Sequence, residues 1–253
     1  MSKISITPNP SGSGVFTISS PATNTNRTLT LPDEAGTILT NAKTATGGLV
    51  SMQSFTGSLE VGGTYTWTRP ANVTKVRVYV VSGGGGSQNI SPNGIATGGA
   101  GGLSIAIIDV SSISSATVTI GNGGAGSNTN AVRGGTGGTS SFGSYASAIG
   151  GEGGLSLNPP YDGGRGGVGT TSVGGAVLSA FNQRGNGGQR GNGPNVQLSG
   201  PGSYFGGGGK GAHDVNNTPT VNQHGEFGGG GGGSQYTSII NGGAGVVYIE
   251  EYA

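Results

Sequence analysis

The pentad Gly-Gly-x-Gly-Gly recurs along the later part of this chain, and no other feature restricts its fold so severely. It appears as Gly98-Gly99-Ala100-Gly101-Gly102, Gly134-Gly135-Thr136-Gly137-Gly138, Gly150-Gly151-Glu152-Gly153-Gly154 and Gly163-Gly164-Arg165-Gly166-Gly167. A looser version runs from Gly185 to Gly193, and two homogeneous runs follow at Gly206–Gly209 and Gly228–Gly233. A GGx unit repeats every three residues. That is the repeat of the polyproline II helix, which rises about 3.1 Å per residue and has no internal hydrogen bonds. With only hydrogen at two positions of three, such helices can approach closely enough to exchange backbone N–H···O=C bonds. Buried backbone groups must find partners, and this lateral pairing is the solution open to a segment without side chains. Glycine loses more freedom on ordering than any other residue, so only a cooperative array of several polyglycine II helices offsets that loss.

The competing reading is a set of flexible linkers, since unpacked glycine-rich chains behave as coils. The spacers argue otherwise. Residues 87–97, 127–133, 155–162, 176–184, 194–205 and 212–227 are chemically varied, with asparagines and the aromatics Tyr161, Phe181, Tyr204-Phe205 and Phe227. The pattern therefore predicts rigid glycine rods joined by diverse loops. A charged side chain at Gly135 or Gly207 is then expected to prevent folding or assembly.

Glycine is unevenly spread: of 59 in 253 residues, 8 lie in 1–82 and 51 in 83–253. Eleven basic against ten acidic residues leave a net charge of +1, which supplies no basic face for nucleic acid. No apolar run approaches the ~18 residues of a membrane span, so membrane insertion is not expected. Met1–Pro8 lacks the apolar stretch of a secretory signal. Zero cysteines remove disulfides, thiol chemistry and cysteine-based zinc sites.

The front of the chain reads as short strands between turn residues: Lys3–Thr7, Val15–Ile18, Thr28–Leu31 and Thr37–Thr40. Strands this short bury too little alone and are expected to pair with a neighbour or with copies of themselves. Residues 1–45 are read as an attachment or shaft segment, and 50–253 as a glycine-rich domain. Within the latter, 52–81 suggests a compact β-meander. Thr64–Thr68 carries the only tryptophan, Trp67, and Pro70-Ala71-Asn72 forms a turn. In Lys75–Val81 the alternation places Val76, Val78 and Val80 on one side, with Arg77 and Tyr79 on the other. Leu103–Val110, Ala116–Ile120 and Gly245–Tyr252 are further strand candidates, and helix signals are nearly absent. The fold class is all-β.

These residues carry a resemblance. Thr64-Tyr65-Thr66-Trp67-Thr68-Arg69-Pro70-Ala71-Asn72-Val73-Thr74-Lys75-Val76-Arg77-Val78-Tyr79-Val80-Val81, running into Gly83-Gly84-Gly85-Gly86, resembles the opening of the glycine-rich domain of bacteriophage tail fibres. The later landmarks occur in order: Gly98–Asp109, Val118–Gly126, Gly137–Gly143, Gly150–Gly154 and Gly242–Tyr252. The resemblance covers about residues 60–253. The phrase Thr28-Leu29-Thr30-Leu31-Pro32-Asp33-Glu34-Ala35-Gly36-Thr37-Ile38-Leu39 is similar to shaft or attachment segments of such fibres. It implies a β-sandwich-like domain with polyglycine II helices, a homotrimer on the virion tail, and attachment through residues 1–45 to other tail or baseplate proteins. It also implies a receptor-binding adhesin that contacts a host surface protein or glycan through its loops. The alternative is a purely structural virion component, a connector or decoration that binds no host.

Tyr, Trp and Arg are the usual anchors of interfaces. The expected receptor contacts are Tyr161, Phe181, Arg184, Arg190, Tyr204, Phe205, His213 and His224, and the residues do not distinguish a protein from a glycan receptor. Enzyme chemistry finds little support. His213 and His224 share a loop with Asp214 and Glu226, a conceivable metal site, but the spacing is unspecific, and solvated loop residues or receptor contacts are the simpler reading. No phosphate-binding G-x-x-x-x-G-K-[ST] occurs, and none of the four aspartates sits in a calcium-binding glycine repeat. Glu250 and Glu251 are adjacent on a strand, so they point to opposite faces and cannot pair for glycoside cleavage. No catalytic residue, cofactor or metal is expected.

Overall fold

The structure is a computed structural model that describes Ser11 and residues 24–26, 48–90, 94–156, 163–191, 197–210, 224–233 and 239–253. The chain divides into two units, Met1–Ile38 and Leu39–Ala253. The expected front strands, Lys3–Thr7, Val15–Ile18, Thr28–Leu31 and Thr37–Thr40, lie outside the described residues, as do Tyr161, His213 and Asp214.

The second unit is all-β. Its strands are β1 (Leu49–Thr56), β2 (Gly63–Thr68), β3 (Lys75–Val81), β4 (Gln88–Ile90), β5 (Gly94–Ala96), β6 (Leu103–Asp109) and β7 (Ser115–Ile120). They continue with β8 (Ser140–Phe142), β9 (Ala146–Ala148), β10 (Gly169–Thr170), β11 (Val177–Gln183), β12 (Arg190–Gly191) and β13 (Val246–Tyr252). Two antiparallel sheets form a sandwich, ordered β1-β13-β3-β6-β11 and β10-β9-β8-β7-β2. Strands β8 and β9 pack over β3, β6 and β13.

The alternation in β3 does what its sequence implies. Val76, Val78 and Val80 are fully buried, and they meet Ile108, Val247 and Ile249 from their own sheet and Trp67, Val118 and Phe142 from the other. Trp67 and Phe142 pack edge to face, with centroids 5.4 Å apart. Each such buried side chain contributes roughly 1.5–3 kcal/mol, so this small core carries most of the apolar stabilisation.

The expected meander over 52–81 is not formed. β1 pairs with β13, β2 with β7, and β3 with both β13 and β6, so these three consecutive strands are never hydrogen-bonded to one another. Strand spacing is a local property, whereas pairing is decided by which apolar faces the two sheets bury together. One local reading does hold: Asn72 closes the 70–72 turn at φ 67°, a left-handed conformation that asparagine tolerates.

The glycine tracts lie beside the sandwich as hydrogen-bonded rods, and residues 82–87 occupy the middle of the array. Ser82 and Gly85 donate backbone N–H groups to 98–102, Gly83 and Gly86 to 134–138, and Gly84 and Ser87 to 240–245. In return the carbonyls of Gly83 and Gly86 accept from 151 and 154, those of Gly84 and Ser87 from 124 and 127, and that of Gly85 from 231. The bonds are ordinary in length: Gly85 N to Gly99 O is 2.8 Å, and Gly154 N to Gly86 O is 2.9 Å. Partners thus recur every third residue, and six neighbouring tracts surround this one.

Position in the array explains composition. The uninterrupted tracts 83–86 and 228–233 are wholly buried, whereas in the peripheral pentads the middle residues Thr136 and Arg165 are exposed. Where a pentad is internal, at 98–102, its middle residue is the small and fully buried Ala100.

A Cβ built at Gly150 would lie 1.9 Å from the carbonyl oxygen of Gly137, and at Gly153 1.8 Å from that of Gly134. Gly135 is tighter than ordinary contact allows, its Cβ meeting Ala125 N at 2.8 Å. The expectation at Gly207 is corrected: a Cβ there meets nothing within 4 Å. Gly207 is exposed, whereas its neighbours Gly206 and Gly208 would each drive a Cβ into a carbonyl oxygen.

Candidate binding surfaces

Successive tracts run away from the sandwich and back again. Residues 82–87 lead out from β3 and 97–102 return to β6; 121–127 lead out from β7 and 134–138 return to β8. The alternation continues through 150–154, 163–167, 185–189 and 198–202. An extended five-residue tract spans at most about 17 Å. The chain therefore turns repeatedly at one far end, in connections that are distant in sequence.

Gln88 is fully buried there and joins three of them. Its side-chain nitrogen donates to the carbonyls of Thr129 (3.1 Å) and Val132 (2.5 Å), and its oxygen accepts from Ser156 N and Oγ. The short sheet β12-β5-β4 lies at this end and holds Arg190, which pairs with Ala96.

A second surface lies on the outward face of the larger sheet. Cross-strand register places Phe181 of β11, Ile105 of β6, Tyr79 of β3 and Tyr248 of β13 in one row. The turn after 198–202 folds Tyr204 and Phe205 onto this row. Tyr204 stacks on Tyr79 with centroids 6.4 Å apart and an interplanar angle of 20°, while Phe205 meets Tyr79 at 6.0 Å and Tyr248 at 6.3 Å. Even so, Phe181 is 57% and Tyr204 56% exposed.

Beside Tyr204 opens a cleft of about 270 Å³, lined by Gln183, Arg184, Asn186 and Ser203 among glycines. Arg184 Nη1 donates to the carbonyl of Gly166 at 3.0 Å, which orients the guanidinium. Phe181 does not sit in a loop as expected. The spacer 176–184 is largely β11, an edge strand whose apolar residues were too few to show a period.

Further along the same face, Arg77 contacts Glu250 at 3.3 Å, and Tyr252 donates its hydroxyl to Glu250 Oε2 at 2.7 Å. That hydrogen bond, helped by partial burial and the carboxylate charge, raises the Tyr252 phenol above its ordinary value. A side-chain hydrogen bond with Tyr79 raises the Arg77 guanidinium in turn. Glu251 faces the other way and is fully buried, accepting from Trp67 Nε1 (2.7 Å), Gln53 Nε2 (2.8 Å) and Ser51 Oγ. The two adjacent carboxylates thus serve separate faces.

His224 is tied into a polar knot: its Nδ1 accepts the Asn241 N–H at 3.0 Å and lies 3.1 Å from Glu60 Oε1. Asn241 also donates to Glu60 Oε2 at 2.6 Å and accepts from Gly126 N at 2.7 Å. Among the described residues no three His, Asp or Glu side chains converge on one point.

Of the residues expected to make contacts, the structure brings Phe181, Arg184, Tyr204 and Phe205 together, and it places Arg190 and His224 apart from them. Tyr79 and Tyr248 complete the aromatic surface and were not singled out. Their signal was available as outward positions alternating with buried Val78, Val80, Val247 and Ile249. Gln88, Asn186 and Asn241 carry no comparable signal in a chain rich in amides.

No curated protein matches this sequence. The glycine-rich domain family matches residues 59–252, from the loop before β2 to the end of β13. By that match the chain belongs to the glycine-rich domain family.

Proposed function

We propose that this chain is a bacteriophage tail-fibre adhesin, that its glycine tracts are polyglycine II helices, and that it attaches the virion to a receptor on the host bacterial surface. The single observation that carries the reading is the array itself. Hydrogen-bonded tracts lead the chain out and back repeatedly, so connections distant in sequence are held at one end. The recurrence of partners every third residue supports the polyglycine II assignment. Holding loops in place before contact lowers the ordering cost of binding. On this reading the receptor contacts come from Arg190, Tyr161, His213 and His224 in the connecting segments, and from the exposed Phe181, Arg184, Tyr204 and Phe205. Residues 1–45 attach the chain to another tail or baseplate protein, three copies assemble together, and the protein catalyses no reaction.

Adsorption of the purified protein to a panel of bacterial strains tests this reading. Strain-selective binding that is lost when the 211–223 segment is replaced by glycine and serine supports it. A protein that binds no strain, yet is found on the assembled tail, is the structural connector instead. Turnover of a surface polysaccharide would make it an enzyme.

A further inference from the structure

We propose that the Tyr79, Tyr204, Phe205 and Tyr248 surface, with the adjoining Arg184 cleft, is a subsite for an acidic saccharide. This rests on the host-surface reading above and deepens it. Tyr204, 56% exposed, lines the polar cleft, and the half-exposed Phe205 packs against its ring beside Tyr79 and Tyr248. A sugar ring has the matching form, with apolar C–H faces that stack on aromatic rings and hydroxyl edges that require hydrogen bonds.

Those bonds are available from Gln183 and from the part of the Asn186 amide that is not spent on the Gly202 carbonyl, whereas the Ser203 hydroxyl is already bonded to Phe227 and Gly206. The charge of the ligand follows from the same wall. Among the described residues Arg184 is the only charged side chain lining the cleft, and of its guanidinium only Nη1 is engaged, with Gly166. An exposed guanidinium that no carboxylate among the described residues faces suits a sugar bearing a carboxylate or a phosphate, either of which it can hold through paired N–H donors. The rod 185–189, hydrogen-bonded to 97–100 and 164–167, fixes the cleft floor before any ligand arrives.

Titration of the full chain with three oligosaccharides, followed by ligand-observed NMR, tests the assignment. The probes are an oligomer of glucuronic acid and N-acetylglucosamine, a phosphorylated hexose oligomer, and the neutral N-acetylglucosamine tetramer. We expect one acidic oligomer to bind at least about tenfold more tightly than the neutral one, with a preference that weakens as salt rises. Arg184→Gln should abolish the preference, Arg184→Lys should retain part of it, and Tyr204→Ala should abolish binding. Thermal melts of each variant separate a lost site from a lost fold.

Absence of binding by all three probes overturns the subsite, as does binding that is indifferent to Tyr204 and Arg184. So does a concentration-dependent association that Tyr204→Ala dissolves, because a second copy then covers the surface. Strain adsorption is measured on the same proteins. Adsorption that persists in every variant removes this subsite and leaves the adhesin standing, whereas saccharide binding without adsorption to any strain removes the adhesin reading alone.

Discussion

Glycines that are identical in the sequence become unequal once each is placed among its neighbours. At Gly150 and Gly153 an added methyl group would enter a neighbouring carbonyl, while at Gly207 it would enter open space. Gly150→Ala should therefore destabilise the protein by more than about 2 kcal/mol, as an overpacked backbone contact does. Gly207→Ala should be neutral or stabilising by about 0.5 kcal/mol through the unfolded chain. Paired chemical denaturation curves measure both, and equal losses would contradict the packing described.

Tyr252 offers a second residue-level check. Its hydrogen bond to Glu250 raises the phenol above the ordinary ~10, so the folded state favours the protonated form. That stabilisation is complete below pH ~10 and is lost as pH rises through the raised folded value. Spectrophotometric titration should show one tyrosine ionising late, and Tyr252→Phe should remove that step. An unchanged profile would break the assignment.

At the level of elements, the strands with clear alternation were legible: Lys75–Val81, Leu103–Val110, Ala116–Ile120 and the C-terminal strand each fall within a residue or two of their observed limits. Pairing was not legible, because β1 crosses nearly the whole chain to reach β13 and nothing in its own residues names that partner. The hairpin of β8 and β9 escaped notice because three residues are too few to show a period. For the candidate surfaces, aromatic and arginine content pointed to Phe181, Arg184, Tyr204 and Phe205. Their convergence depends on sheet register and on the return of 198–202, which is tertiary information.

Two elements are predicted to depend on one side chain each. Gln88 holds the connections at Thr129, Val132 and Ser156 together, so Gln88→Ala leaves buried groups without partners at about 1–3 kcal/mol. Amide exchange should quicken at 127–133 and 154–156 while the sandwich stays protected. Glu251 fastens β1 through Ser51 and Gln53 and also holds the Trp67 indole. Glu251→Leu should release β1 and shift the tryptophan emission, and a spectrum identical to the parent would show that β1 docks without it.

The molecule as a whole joins two kinds of cohesion: an apolar sandwich, and an array held through main-chain bonds. Amide exchange separates them from unstructured glycine. Residues 83–86 and 229–231 should rank among the slowest in the protein, although they belong to neither sheet, because most of their N–H groups point into a neighbouring tract. Exchange at the rate of a free peptide would dissolve the array.

Because the tracts bind one another mainly through peptide groups, the cohesion of the array depends little on most of the residues spliced between them. A connection such as 211–223 can be exchanged or lengthened at a closure cost that grows only with the logarithm of its length. The scaffold thus tolerates a change of recognition specificity as a local graft, with the remaining connections left in register.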